Sequence, residues 1–451
     1  MKKLLLFLLC LVIFTGCSKI PEVDPTIEPT IEVTPLPEPP EALTAALDAA
    51  PVLTGGGPAL RKFPYPYRAM LAITSDCDST TTDTFTRVHR FLNTFEETEY
   101  GPGLGLDISD SFFMYNGSDY DTADGLMSFC EGTDPDCPKD AELIKKYYDC
   151  GWIDSIHAFG DFSNSGGSRF TRALALRAWE KLDKAGIAPS VWIDHGTYTN
   201  VQNFGAYNPH NASSYQAGDD PDSIFYHTDI TLAHSIRYVW YSRHSDIFGR
   251  DYPLEIRELR DGRTVWSFAR YTSEMIGQEI DWTWRPNRLH DQITKERLDA
   301  LEMNGQYCII AQHITVFQPE EQFGEADLAA LRMLAARFHD DKSILVARTS
   351  RLLDYALAWK HLTFQTAEAE GFTGIRILSV TDPVGGERKP TLEDLAGITF
   401  YCTDPERTAV FLGDRLLTAE EVSINPPDET GRPSISIPWF SADTTDYTKS
   451  A

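Results

Sequence analysis

At 451 residues, with 67 acidic against 40 basic side chains and a formal net charge of −27, the chain is too long for one small domain and carries a surface that repels nucleic acid and anionic headgroups. Its eight cysteines form no CxxC pair, which argues against a zinc ribbon or a thioredoxin-like site. Neither a GxGxxG nor a P-loop is present, so nucleotide chemistry has no support.

Lys2-Lys3, the apolar run 4–14 and Thr15-Gly16-Cys17 have the charged, apolar and small-residue regions of a secretory signal. The run is too short to span a bilayer. A cysteine directly after a small residue resembles the bacterial lipobox, whose thiol is acylated, with Phe14 standing where that box usually has Leu. Residues 1–17 are therefore expected to be a lipoprotein signal with Cys17 lipidated, so that the protein is exported and tied to the cell membrane or outer membrane by its lipid alone. Residues 18–60 are rich in Pro, Glu and Thr and are expected to be a disordered stalk.

Across 61–360, short β-branched or aromatic runs alternate with amphipathic helical stretches, the signature of a parallel α/β architecture. Strands are expected at 69–74, 107–115, 152–157, 190–194, 238–241, 307–312 and 344–348, and helices at 170–185, 291–303 and 325–338. Leu174, Leu176, Ala178, Trp179 and Leu182 are expected to form the apolar face of the first of these helices. Seven strands with helices between them favour a barrel over an open sheet. Residues 361–445 change to short alternating runs separated by Gly, Pro and Asp turns, which predicts a small β-sandwich ending in a frayed tail after Phe440. Cys130 and Cys137 are spaced for a small disulfide loop, with Cys150 as a competing partner, whereas Cys77 and Cys308 lie in strand-like runs and are expected to be buried thiols.

Catalytic groups of such barrels sit at the C-terminal ends of strands. The polar residues after the expected strands are Ser75-Asp76-Cys77-Asp78, His157 followed by Asp161, Asp194-His195 and, after Gln312, His313. Carboxylates and imidazoles from four strand ends are the ingredients of a metal hydrolase site. Taken singly, Asp76 and Asp78 equally suit a helix cap, and each histidine suits a structural role.

On these motifs the chain resembles the polysaccharide deacetylases, the NodB-homology or carbohydrate esterase family 4 group, whose fold is a distorted (β/α) barrel of seven strands. The resemblance covers 66–360 through scattered short motifs. It implies Asp76 as general base and Asp78 as metal ligand, although Cys77 separates a pair that is contiguous in the family. It implies His157 and Asp161 as further ligands, with an aspartate at the position of the family's second histidine, and His313 as the acid that protonates the leaving group. Asp161 makes the site more anionic, and His195 offers a nitrogen in its stead. Asp194, His195, Trp282 and Trp284 are expected as further ligands or sugar contacts. The implied cofactor is a divalent ion, zinc before others, and the implied partner is an envelope or extracellular polysaccharide that loses acetyl groups. Two other readings stay open: a glycoside hydrolase using carboxylates such as Asp161, Asp194 or Glu279, and a lipoprotein that binds glycan without turnover.

Overall fold

A computed structural model of the chain describes residues 36–116, 126–162, 169–195, 200–204, 216–240, 245–317 and 322–449. Cys17 with its signal, the linker residues before 36, and Tyr198 lie outside these. Seven strands form where apolar runs place them: β1 (Ala69–Ser75), β2 (Ser109–Phe112), β3 (Ile153–His157), β4 (Val191–Ile193), β5 (Tyr238–Trp240) and, further on, β10 (Tyr307–Gln312) and β11 (Ile344–Val346). Between β5 and β10 lie two hairpins absent from the expected set, β6 (Leu254–Glu258) with β7 (Thr264–Phe268), and β8 (Ser273–Ile276) with β9 (Glu279–Trp282).

The main sheet runs β10-β1-β2-β3-β4-β5-β7-β6, with β11 also paired to β1. Every pairing is parallel except β7 with β6. All seven residues of β1 are buried, as a strand covered on both faces requires. β10 pairs β1 from Met70 to Ser75, while on the other side β11 takes Ala69–Leu71 and β2 takes Thr74–Ser75. The C-terminal end of β1 therefore lies between those of β10 and β2. Beyond β7, the Tyr271 amide donates to the Ile309 carbonyl at 2.7 Å and Tyr271 accepts from the Ala311 amide at 3.0 Å.

The longer helices are α1 (Glu41–Asp48), α2 (Thr82–Asn93), α3 (Ala141–Asp149), α4 (Arg172–Ala185), α5 (Lys295–Asn304), α6 (Glu325–His339) and α7 (Thr349–His361). α2 starts at a reciprocal cap, the Thr84 amide donating to Thr81 Oγ1 and the Thr81 amide to Thr84 Oγ1, both at 3.1 Å. Asp76 and Asp78 are thus released from capping. α4 buries Ala175, Ala178, Trp179 and Leu182, but Leu176 is 46 % exposed, because the helix drops one position off the broad stripe expected for it. Among the described residues no helix is long and apolar enough to cross a membrane.

After α7 the chain builds β12 (Leu362–Ala369), β13 (Phe372–Asp382), β14 (Gly386–Arg388), β15 (Thr399–Tyr401), β16 (Thr408–Leu412), β17 (Arg415–Leu416), β18 (Ser423–Asn425) and β19 (Ser434–Ser436). One sheet holds β12-β13-β16-β17 with β14 on β13, and a second holds β15-β19-β18. Phe364 and Phe400 meet across the two at 5.3 Å. One hydrophobic cluster joins Met70, Tyr238 and Tyr307 of the main sheet to Phe364, Ile377, Phe400 and Ile435, so the core is continuous across residue 361. Leu36–Ala451 is one compact unit.

Two expectations are corrected. The stalk assigned to 18–60 is folded from 41 onward: Leu43 and Leu47 of α1 are fully buried against Ala409 and Phe411, and Asp48 pairs with Arg376 at 2.6 Å. Leu53–Thr54 then adds a strand to β12. The two leucines sit four apart, one helical turn, and that short stripe was outweighed by the composition around it. The tail beyond Phe440 is docked as well, with Asp446 2.9 Å from Arg90, Tyr447 edge-on to Trp152, and Lys449 2.7 Å from Glu96. The described cysteines are free thiols: Cys130, Cys77 and Cys308 are buried, Cys137 is exposed, and the 131–137 loop is closed by the backbone, the Glu131 amide donating to the Cys137 carbonyl at 2.8 Å.

Candidate metal centre

Adjacent parallel strands end on one edge of the sheet, so residues far apart in sequence meet there. His157 closes β3, His195 lies two residues past β4, Asp78 follows β1 and His313 follows β10. His157 pairs in register with Ile193. Asp78 takes the centre: its Oδ2 lies 3.0 Å from His157 Nε2 and 3.2 Å from His313 Nε2, and its Oδ1 lies 3.1 Å from His195 Nδ1. His157 Nε2 and His195 Nδ1 are themselves 3.0 Å apart.

Neighbouring acceptors decide which ring nitrogens carry protons. His157 Nδ1 faces the Ile193 carbonyl at 3.2 Å, where only an N–H can serve, and His195 Nε2 faces Asp161 Oδ1 at 3.1 Å. With those protons placed, the remaining lone pairs of both imidazoles point at the same spot beside Asp78, the donor set and outer-shell support of a metal site. Ligand atoms of Asp78, His157 and His195 all lie within 4.8 Å of one another. Asp161, expected as a ligand, lies against the outer nitrogen of His195, and it is His195 that joins Asp78 and His157 in a group able to hold a metal ion. The main chain of His195 is held too: its amide donates to Asn203 Oδ1 at 3.1 Å and its carbonyl accepts from Asn203 Nδ2 at 3.0 Å.

A second group, Asp76, Asp78 and His313, also brings ligand atoms within 4.8 Å. Both oxygens of Asp76 are however taken by Arg270, at 2.6 and 2.9 Å, in a buried bidentate pair. The guanidinium lies 3.7 Å from the centroid of Trp240. Burial alone would raise the Asp76 carboxyl, but Arg270 overcomes it and holds the group below its ordinary value. Burial likewise opposes ionisation of Asp78, and His195 and His157 carry it well below. For His195 burial works against the charged ring, yet Asp78 and Asp161 push it up to about 10. His313 is lowered by burial and lifted, on balance, by Asp78 and Asp76. In the absence of a metal, a proton therefore competes for the His195 nitrogen.

Aromatic rings wall the centre. Phe113 stacks on His157 at 5.2 Å and stands edge-on to His195 at 5.3 Å, and Trp284 packs against His313 at 4.4 Å. Trp282, on β9, is 47 % exposed. Asp194 is fully buried and does not face the centre. Its Oδ1 accepts from Trp192 Nε1 at 2.8 Å and the Phe204 amide at 3.1 Å, Oδ2 has no partner, and burial raises its carboxyl well above the ordinary range. Glu279 stands exposed on the β8–β9 hairpin. Ser79 and Ala158, directly after Asp78 and His157 of the candidate centre, adopt left-handed φ of 49° and 47°. Such backbone conformations cost a side-chain-bearing residue on the order of 1 kcal/mol or more and cluster at functional sites.

Arg270 and Phe113 are absent from the expected set. The apolar run Val265-Trp-Ser-Phe268 ahead of Arg270 is the signal that would have found the arginine, since it marks one more strand end on the same edge. The chain matches no protein-family model, no curated protein and no solved structure.

Proposed function

We propose that the chain is a metal-dependent hydrolase that removes acetyl groups from an envelope or extracellular polysaccharide. The observation that carries this reading is the convergence of Asp78, His157 and His195 beside a buried Asp76–Arg270 pair and a protonatable His313. Two imidazoles and one carboxylate suit zinc first among divalent ions. The resemblance of its motifs to those of polysaccharide deacetylases points the same way; in this reading the parallel strands belong to a distorted (β/α) barrel, for which the bridge between Tyr271 and Ile310 is support, and residues 361–445 are a small sandwich module. Export and a lipid on Cys17 would bring the enzyme to envelope glycan.

A divalent ion in this centre would polarise an acetyl carbonyl and lower the pKa of water. Asp78, His157 and His195 would hold it, with Asp161 keeping the proton of His195 on the far nitrogen. Asp76, kept ionised and immobile by Arg270, accepts the proton of the attacking water. His313, whose pKa Asp78 and Asp76 raise against its burial, would donate a proton to the departing amine or alcohol. Phe113 and Trp284 exclude bulk water from the flanks. Incubation with N-acetylated glycans is expected to release acetate, and chelator or Asp78→Ala is expected to abolish the release. A purified protein that carries no metal and releases no acetate on adding zinc overturns the proposal.

A further inference from the structure

We propose that one face of the β8–β9 hairpin is a platform on which a glycan chain lies as it enters the candidate centre; this rests on the glycan reading above. Met275 stands opposite Ile280 and Ser273 opposite Trp282, and directly opposed residues of an antiparallel pair share a face. Met275 is 42 % exposed, Ile280 38 % and Trp282 47 %. The opposite face is tied to the body of the protein: Glu274 binds the Tyr271 hydroxyl at 2.7 Å and pairs with Arg297, and Asp281 pairs with Arg288 at 2.7 and 2.8 Å. A lone two-stranded ribbon is marginal in water, so these ion pairs hold the hairpin while its apolar face is turned to solvent. An exposed apolar face of this kind marks an interaction site.

Its occupant follows from where the face leads. Ile280, Trp282 and Trp284 alternate along an extended segment in which Thr283 is buried, and Trp284 ends 4.4 Å from the ring of His313. At about 3.3 Å per residue the stripe extends on the order of 13 Å from the centre, longer than one sugar ring. Flat indoles present their faces to sugar C–H surfaces. A bilayer of anionic lipid is repelled by the net charge of −27, and a second copy would set like charges against each other.

The test is calorimetric binding of N-acetylglucosamine oligomers of two and six units to the full chain. The longer oligomer is expected to bind roughly tenfold tighter, and the double variant Met275→Ser, Ile280→Ser is expected to bind both lengths alike while its zinc affinity, which reports an intact centre, stays put. Equal binding of both lengths by the unaltered protein, no binding of either, or a length preference that survives in the variant overturns the platform. Self-association in sedimentation that the variant abolishes, or co-sedimentation with phosphatidylcholine vesicles, assigns a different occupant and overturns it too. Length preference without acetate release leaves the platform standing and removes the hydrolase reading; acetate release without length preference does the reverse.

Discussion

Asp161 and His195 stand, in space, in the reverse of the order in which the chain presents them: His195 is the nearer to Asp78 and His157. Asp161 is four residues from His157 and looks like its co-ligand, but its oxygen lies against the outer nitrogen of His195, where a carboxylate fixes the tautomer and raises ligand basicity. Asp161→Asn is accordingly expected to weaken zinc binding by roughly 10- to 100-fold without abolishing it. Competition with a chromophoric chelator measures this, and a loss as complete as that of His195→Ala would mean that Asp161 is a ligand after all. The same pair sets a pH dependence. In the metal-free protein the imidazole of His195 is raised from 6.5 to about 10 by Asp78 and Asp161 against its burial. A folded-state value above the unfolded one stabilises fully below 6.5 and is lost as pH rises through about 10. The urea midpoint of the metal-free protein is thus expected to fall between pH 7 and 10; a midpoint that holds or rises would show that His195 is already neutral at pH 7.

At the scale of elements, what could be read depended on how plainly a segment announces its period. β1 and β10 are near-continuous apolar runs and stand out from any neighbourhood. β6 is Leu-Glu-Ile-Arg-Glu, alternating with charge, and joins β7 through the Asp261-Gly262 turn, so a reading tuned to strands separated by helices passes over it. That omission hid Arg270. α1 was lost for a related reason: eight residues carrying two leucines lie within an acidic, proline-rich composition, and the average concealed the helix. Its burial is nonetheless complete at Leu43 and Leu47, and the missing Cβ of Gly374 is what lets both approach β13, since a Cβ there would sit 3.0 Å from each. Leu47→Ala is expected to destabilise the protein by roughly 2 to 4 kcal/mol. Urea denaturation checks it, and an unchanged midpoint would return this segment to the status of a linker.

Across the whole molecule the parallel sheet and the two C-terminal sheets share one cluster of buried side chains, from Met70 through Tyr355 to Ile435. Support of that kind keeps the strand ends rigid, which a centre made of residues from four strands needs for its geometry to persist. The amino-acid sequence by itself determined the strand-forming runs and the polar residues that end them, because β-branched and aromatic periodicity is a local property. It also supplied Asp76, Asp78, His157, His195 and His313 as candidates. Only the tertiary structure decided which of them meet: pairing β3 beside β4 closes 38 residues of chain to 3.0 Å between two imidazoles, and the chain just after β7 sets Arg270 on Asp76, 194 residues earlier. Ligand, orienting group and base differ by the direction of a lone pair or the identity of a neighbour, and those are fixed by strand order and register, which no local pattern encodes.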